Sequence, residues 1–184
     1  NHHQRRLHVA PRAKGHKTMS WKELVAAARA ELTAVGVKGP WDDEPDAESS
    51  MHAGLHIFVC RTQMLALCGY AAVPPTHPAH GKHSDNPSLV DAINVHGGLT
   101  YADAIKEHVV AAWLAPDCQD YWLLGFDCAH AWDVMPKMEV YKATLPDWPR
   151  LPRESPWEET YRTFDWVRDE TKRLAEQLAA MEVA

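Results

Sequence analysis

Tyr121-Trp-Leu-Leu-Gly-Phe-Asp127 is the stretch on which the fold turns. Its near-continuous apolar character marks a central strand buried on both faces. Towards the N-terminus, Leu55-His-Ile-Phe-Val-Cys-Arg61 reads as a second strand. A turn near Arg61–Gln63 leads from it into Leu65-Ala-Leu-Cys-Gly-Tyr-Ala-Ala-Val73, a candidate antiparallel partner that Pro74 and Pro75 end. Thr76 to Pro87 is then a long loop. Leu89-Val-Asp-Ala-Ile-Asn-Val-His96 supplies a short strand near 92–96, and Gly97-Gly98 permits a left-handed turn. Thr100-Tyr-Ala-Asp103 has the spacing to cap a helix running to about residue 113, before Pro116 and Asp117 break it.

Helices flank these strands. Ser20-Trp-Lys-Glu23 has capping-box spacing, and Trp21, Leu24, Val25, Ala28, Leu32 and Val35 form an apolar stripe that Gly36 can terminate. Lys38 to Asp46 is an acidic loop. Residues 136–154 are punctuated by prolines and read as a wrap around the body. Ser155-Pro-Trp-Glu158 is a helix-start signal, followed by Tyr161, Phe164, Val167, Leu174, Leu178 and Met181 on one face. The pattern predicts a single α+β domain over 19–184. A central, mostly antiparallel sheet with strands near 55–61, 66–73, 92–96 and 121–127 is covered by helices near 20–35 and 157–182.

The net charge of −6 conceals an asymmetry: residues 1–18 hold five bases and no acid, leaving −11 on the remainder. Such a body is a poor nucleic-acid binder. Residues 1–18 read as a basic flexible arm or leader, with Met19 a candidate start. No run of eighteen apolar residues predicts a membrane span. Cys60, Cys68, Cys118 and Cys128 have mostly apolar neighbours and no CxxC pair, which suits reduced, buried thiols in a cytoplasmic protein. The eight tryptophans suit a core or a ligand groove.

Six of the twelve histidines lie between His52 and His96, and Gly125-Phe-Asp-Cys-Ala-His-Ala-Trp-Asp133 follows. Imidazole and carboxylate are the groups of metal ligation and of proton transfer near neutral pH. His96 ends one expected strand and Asp127 another, while His130 and Asp133 share a face at i,i+3 spacing. His96, His130, Asp133 and Asp127 are therefore the candidate ligands for a divalent metal such as Zn, Mn or Fe, with an open position for water. His96, Asp127, His130 and His77 are the candidate catalytic groups. His77 and His80 lie on the 76–87 loop, a candidate mobile cover that would supply an extra ligand or a proton donor. Cys68 and Cys128 are secondary candidates for a metal-free nucleophile activated by histidine. A purely structural polar network is the competing reading.

Trp41-Asp-Asp-Glu-Pro-Asp46, Leu67-Cys-Gly-Tyr-Ala-Ala-Val-Pro-Pro-Thr-His-Pro-Ala-His-Gly81, Val95-His-Gly-Gly-Leu-Thr-Tyr101 and Trp122-Leu-Leu-Gly-Phe-Asp-Cys-Ala-His-Ala-Trp-Asp133 together resemble an uncharacterised family of small phage and bacterial proteins. The resemblance spans about 41–182. It implies His77, His80, Gly81, His96, Gly97, Gly98, Asp127, His130 and Asp133 as signature positions, a bacterial cytoplasm as compartment, and no particular reaction. Trp132 departs from the family's usual glycine and Ala71 from its usual valine. Three functions remain open. One is a metal-dependent hydrolase of a phosphorylated or nucleotide-like small molecule. The second is a non-catalytic phage-associated protein that binds a host factor or inhibits host defence. The third is a metal-free Cys/His hydrolase.

Overall fold

The structure, a computed structural model, describes residues 19–147 and 159–181. The 1–18 arm and the Ser155 helix start lie outside the described residues. Five strands form one antiparallel sheet: β1 (Ala47–His52), β2 (Leu55–Arg61), β3 (Leu67–Val73), β4 (Tyr101–Ala104) and β5 (Trp122–Asp127), in the order β1-β2-β3-β5-β4. Among the described residues, four α-helices accompany it: α1 (Trp21–Val35), α2 (Pro87–Val90), α3 (Pro136–Thr144) and α4 (Phe164–Ala179). The architecture is α+β, the antiparallel sheet flanked by an N-terminal and a long C-terminal helix that the sequence predicts.

Both faces of the sheet are covered, and strand alternation sorts the residues between them. Ile57, Val59, Leu67, Ala71, Val73, Leu124 and Phe126 face Val167, Leu174 and Leu178 of α4. Phe58, Cys60, Cys68, Tyr70, Ala72 and Leu123 pack on the other side against Ile105 and Val110, with Trp21 and Trp113 at the margin. β5 is hydrogen-bonded on both edges, to β3 and β4, and Leu123–Phe126 are buried. This is the two-sided burial expected of 121–127.

α1 begins at Ser20, whose Oγ accepts from the Glu23 amide while the Glu23 carboxylate accepts from the Ser20 amide, completing the capping box. It ends at Gly36 with φ 77°, a left-handed residue that lets the last carbonyls be satisfied. Val25, Ala28 and Leu32 of α1 pack with Trp41, Leu65 and Val140 of α3. The 136–154 stretch is therefore helical at its start, not simply a wrap. Arg29 of α1 ties down the acidic loop, donating to Asp46 and to the carbonyls of Trp41 and Glu44.

Beside this loop lies a deeply buried charge. Arg61 is 1% exposed. It pairs with Glu44 at 2.6 Å and donates to the Leu65 carbonyl at 3.0 Å and the Tyr161 hydroxyl at 3.1 Å. The other Glu44 oxygen accepts from the Phe164 amide at 2.9 Å, so the same pair anchors the first residue of α4.

Four sequence expectations are corrected. Residues 92–96 form no strand: the apolar run starts as α2, capped by Asn86 with Pro87 at the first helical position, and continues as a turn with Ile93 and Val95 buried. The fourth strand is instead 101–104, where a helix was expected. Pairing of Tyr101–Ala104 with Trp122–Gly125 outweighs the local capping signal, and 105–107 and 109–113 make only 3₁₀ turns. β1 was not anticipated at all. It joins β2 through a two-residue turn, Ala53-Gly54, with positive φ at both (49° and 79°), the conformation matched to hairpin twist. Finally, the described part of the C-terminal helix starts at the Thr163 cap and ends at Ala179, inside the expected 157–182.

Candidate metal centre

Three side chains from two distant chain segments converge beside the first residues of α4. His96 sits in the turn after α2. The amide of His96 donates to the Glu170 carboxylate of α4 at 2.9 Å, which fixes the backbone of that turn. Gly97 and Gly98 follow with φ 67° and 83°. A Cβ at Gly97 would lie 2.0 Å from His130 Nε2, so the turn can meet the His130 ring only without a side chain there. Gly97→Ala combines that collision with a strained φ. It is expected to cost about 1–3 kcal/mol and to displace His130, which urea unfolding and the histidine resonances in NMR would show.

His130 and Asp133 lie in the turn that leaves β5. The Asp133 amide donates to the His130 carbonyl at 2.9 Å, closing that turn. The segment is held from the far side by Thr160: its carbonyl accepts from the Val134 amide, and its amide donates to the Trp132 carbonyl. Asp133 is 1% exposed at its side chain, against 8% for His96 and 19% for His130. Its carboxylate faces His96 Nε2 at 2.8 and 3.0 Å and His130 Nδ1 at 3.0 Å, and accepts from the His130 amide at 3.1 Å. Burial alone would raise its pKa. The His96 and His130 rings and the His130 amide outweigh burial and hold it below the ordinary carboxylate value.

Indoles orient both imidazoles. Trp132 stacks on His130, with centroids 5.0 Å apart and planes within 6°. Trp166 of α4 meets His96 edge to face at 5.3 Å. The ring of Trp166 in turn carries the Arg162 guanidinium at 4.7 Å, and Arg162 Nε lies 3.5 Å from Asp133 Oδ1.

One ligand atom from each of His96, His130 and Asp133 falls within 4.8 Å of the other two, a spacing that can hold a metal ion. Two imidazoles and a carboxylate are a donor set suited to zinc, and three protein ligands leave a position open for a ligand. None of the cavities described is lined by these three residues. One of about 260 Å³ borders Ile93, Gly98 and Leu99, next to the His96 turn. Another of about 500 Å³ lies by Trp21 and Trp113, at the margin of the sheet face opposite α4.

The remaining sequence candidates do different work. Asp127 accepts from the Ala129 amide at 2.9 Å, capping the turn after β5, and does not join the three-residue group. His77 and His80 are not a free cover. His77 Nδ1 accepts from the Ala79 amide at 3.0 Å, and its Nε2 donates to the Leu178 carbonyl of α4 at 2.9 Å. His80 Nε2 donates to the Asp120 carbonyl at 2.9 Å. Cys68 and Cys128 are both 3% exposed. Burial pushes the Cys68 thiol up to about 12 and raises Cys128 as well, with the Asp133 charge adding to the effect at Cys128. Neither is poised as a thiolate nucleophile near neutral pH, which removes support from the metal-free cysteine alternative.

Burial lowers the His77 pKa below its ordinary 6.5. The Leu178 carbonyl opposes that shift, while His80 and Lys82 reinforce it. The unfolded chain therefore binds more protons just below pH 6.5. The His77 contribution to stability is complete above pH 6.5 and declines as pH falls through the lowered folded value. The gap in urea midpoint between wild type and His77→Asn is expected to narrow as pH drops below 6.5. A constant gap would contradict the neutral stapling role.

Glu170, Arg162 and Trp166 were missed from the sequence. The only available signal was Glu170 on the buried face of α4, where an acid interrupts the apolar residues. No family model, curated protein or solved structure matches the chain. Among the described residues, no helix is long and apolar enough to cross a membrane.

Proposed function

We propose that the protein is a metal-dependent hydrolase acting on a phosphorylated or nucleotide-like small molecule, with a divalent ion held by His96, His130 and Asp133. The observation that carries this reading is the convergence of the three ligand atoms within 4.8 Å. Zinc suits the donor set best, with manganese or iron as the other candidates. When bound, such an ion supplies Lewis acidity towards a phosphoryl or carbonyl oxygen. The chain supplies the rest. Glu170 fixes the His96 turn, the indoles of Trp132 and Trp166 hold the two rings, and Asp133 offsets the positive charge. A divalent ion would also offset the acidic body where an anionic substrate approaches.

A second reading is favoured by the completeness of the Asp133 contacts. The carboxylate already accepts from two rings and an amide. A satisfied network of this kind can tie the His96 turn, the 130–133 turn and the chain before α4 together in a non-catalytic binding protein.

Calorimetric titration of metal-free protein with zinc, manganese and ferrous iron separates the two. It is followed by hydrolysis assays of the loaded protein on phosphomonoesters and nucleotides. The metal reading expects one ion per chain and metal-dependent turnover. Absence of stoichiometric binding with all three metals overturns it. Binding without turnover on the panel refutes the hydrolase assignment and leaves the ion site.

A further inference from the structure

We propose that Arg162 reads a phosphoryl group on the ligand of the His96–His130–Asp133 centre, which makes it the specificity-determining residue of that site. The inference rests on the proposed function for the site's identity, but its own support is separate. Arg162 Nε is buried and has no hydrogen-bond partner. Among the described residues it forms an ion pair with Asp133 alone, at 3.5 Å and without a formed hydrogen bond. Among the described residues, the terminal guanidinium nitrogens make no hydrogen bond either.

The other buried or half-buried arginines behave differently. Arg29 is held by Asp46 and two carbonyls, Arg61 by Glu44 and two oxygens, and Arg168 by both oxygens of Glu48. A donor withdrawn from water and left unpaired is costly to folding. Arg162 carries that cost beside the only three-residue group with metal-ligand spacing found among the described residues.

The geometry also suits an oxyanion. The guanidinium lies over the Trp166 ring, which packs perpendicular to the His96 ring, and its Nε is 3.5 Å from Asp133 Oδ1, so it stands beside two of the three residues of the centre. A guanidinium held over an indole face keeps N–H groups that can meet two phosphate oxygens at once. Arg162 is 26% exposed at its side chain, so a ligand can reach it from solvent. Asp133 would repel such a ligand if its charge stood alone, but its carboxylate is turned towards the ring nitrogens of His96 and His130, and an ion, when bound, would counter its charge.

Inorganic phosphate is the probe, titrated calorimetrically into metal-free protein and into protein carrying one equivalent of zinc. Wild type is compared with Arg162→Met and Arg162→Lys, with circular dichroism and thermal melts confirming that each variant folds. Arg162→Met is expected to weaken phosphate binding about tenfold or more, with zinc affinity largely kept. Arg162→Lys restores the charge without the fork and is expected to recover only part of the loss. Equal phosphate affinity in wild type and either variant, or no phosphate binding in either metal state, overturns the proposal. If zinc binds while phosphate binding ignores Arg162, this inference fails and the metal centre stands. If phosphate binding depends on Arg162 but zinc does not bind, the anion site stands and the metal reading fails.

Discussion

Asp133→Asn is expected to abolish tight metal binding, lowering zinc affinity by more than about 100-fold, beyond the range typical of residues that only support a ligand. The change keeps the shape of the side chain and removes its charge. It also places an amide donor where an acceptor stood, facing His96 Nε2 and His130 Nδ1 at hydrogen-bond distance. At 1% side-chain exposure no water can fill the role. The same substitution is expected to destabilise the metal-free protein by about 3 kcal/mol, the upper end for leaving a buried hydrogen-bonding group without its partner, because the carboxylate faces two ring nitrogens and an amide. His96→Ala provides the contrast. It removes one ligand and loses the ion, yet leaves Asp133 with His130 and Arg162, so its cost in stability is smaller. Zinc calorimetry and urea unfolding on the two variants read these quantities separately. Wild-type zinc affinity in Asp133→Asn would remove the aspartate from the centre.

Arg61→Met is expected to be the most damaging single change to the fold, at about 3–5 kcal/mol. The methionine fills much of the space but leaves the Glu44 carboxylate without its 2.6 Å partner. The Leu65 carbonyl and the Tyr161 hydroxyl lose a donor at the same time. Glu44 also receives the Phe164 amide, so the damage reaches the start of α4. The discriminating comparison is the double variant Arg61→Met with Glu44→Leu. Removing both charges leaves no orphaned ion, so the double variant is expected to be more stable than Arg61→Met alone despite carrying one more substitution. A double variant less stable than the single one would mean that lost packing, not the stranded carboxylate, dominates.

Where side-chain periodicity and burial coincide, the sequence was legible. Ser20, Glu23 and Gly36 bound α1 because capping is local chemistry within one turn. Strands 55–61, 67–73 and 122–127 were readable because each is buried on both faces, and burial demands apolar residues at consecutive positions. β1 was opaque for the opposite reason. As an edge strand, Ala47-Glu-Ser-Ser-Met-His52 is largely solvent-facing and has no apolar alternation. Its one signal was the Ala53-Gly54 turn. At Tyr101–Ala104 a local helix cap competed with a tertiary partner, Trp122–Gly125, that no short window contains.

The candidate site divided along the same line. His130 and Asp133 were found through i,i+3 spacing, and His96 through its place before Gly97-Gly98. Asp127 and His77 look alike in sequence but are spent on the Ala129 amide and the Leu178 carbonyl, choices that only the folded chain reveals. Glu170 lies 74 positions from the His96 amide it holds, beyond any spacing rule.

That last separation has a temporal consequence. The residues that would grip an ion are threaded into the β3–β5–β4 region, while the brace on His96 belongs to α4, the last described helix of the chain. Contacts so distant along the chain form late, after loop closure has been compensated by the sheet. The centre is therefore expected to ripen last in refolding, with zinc capture lagging behind formation of the sheet as read by stopped-flow far-UV circular dichroism. An ion that recognises only the finished arrangement then acts as a latch, drawing the final docking step forward by mass action.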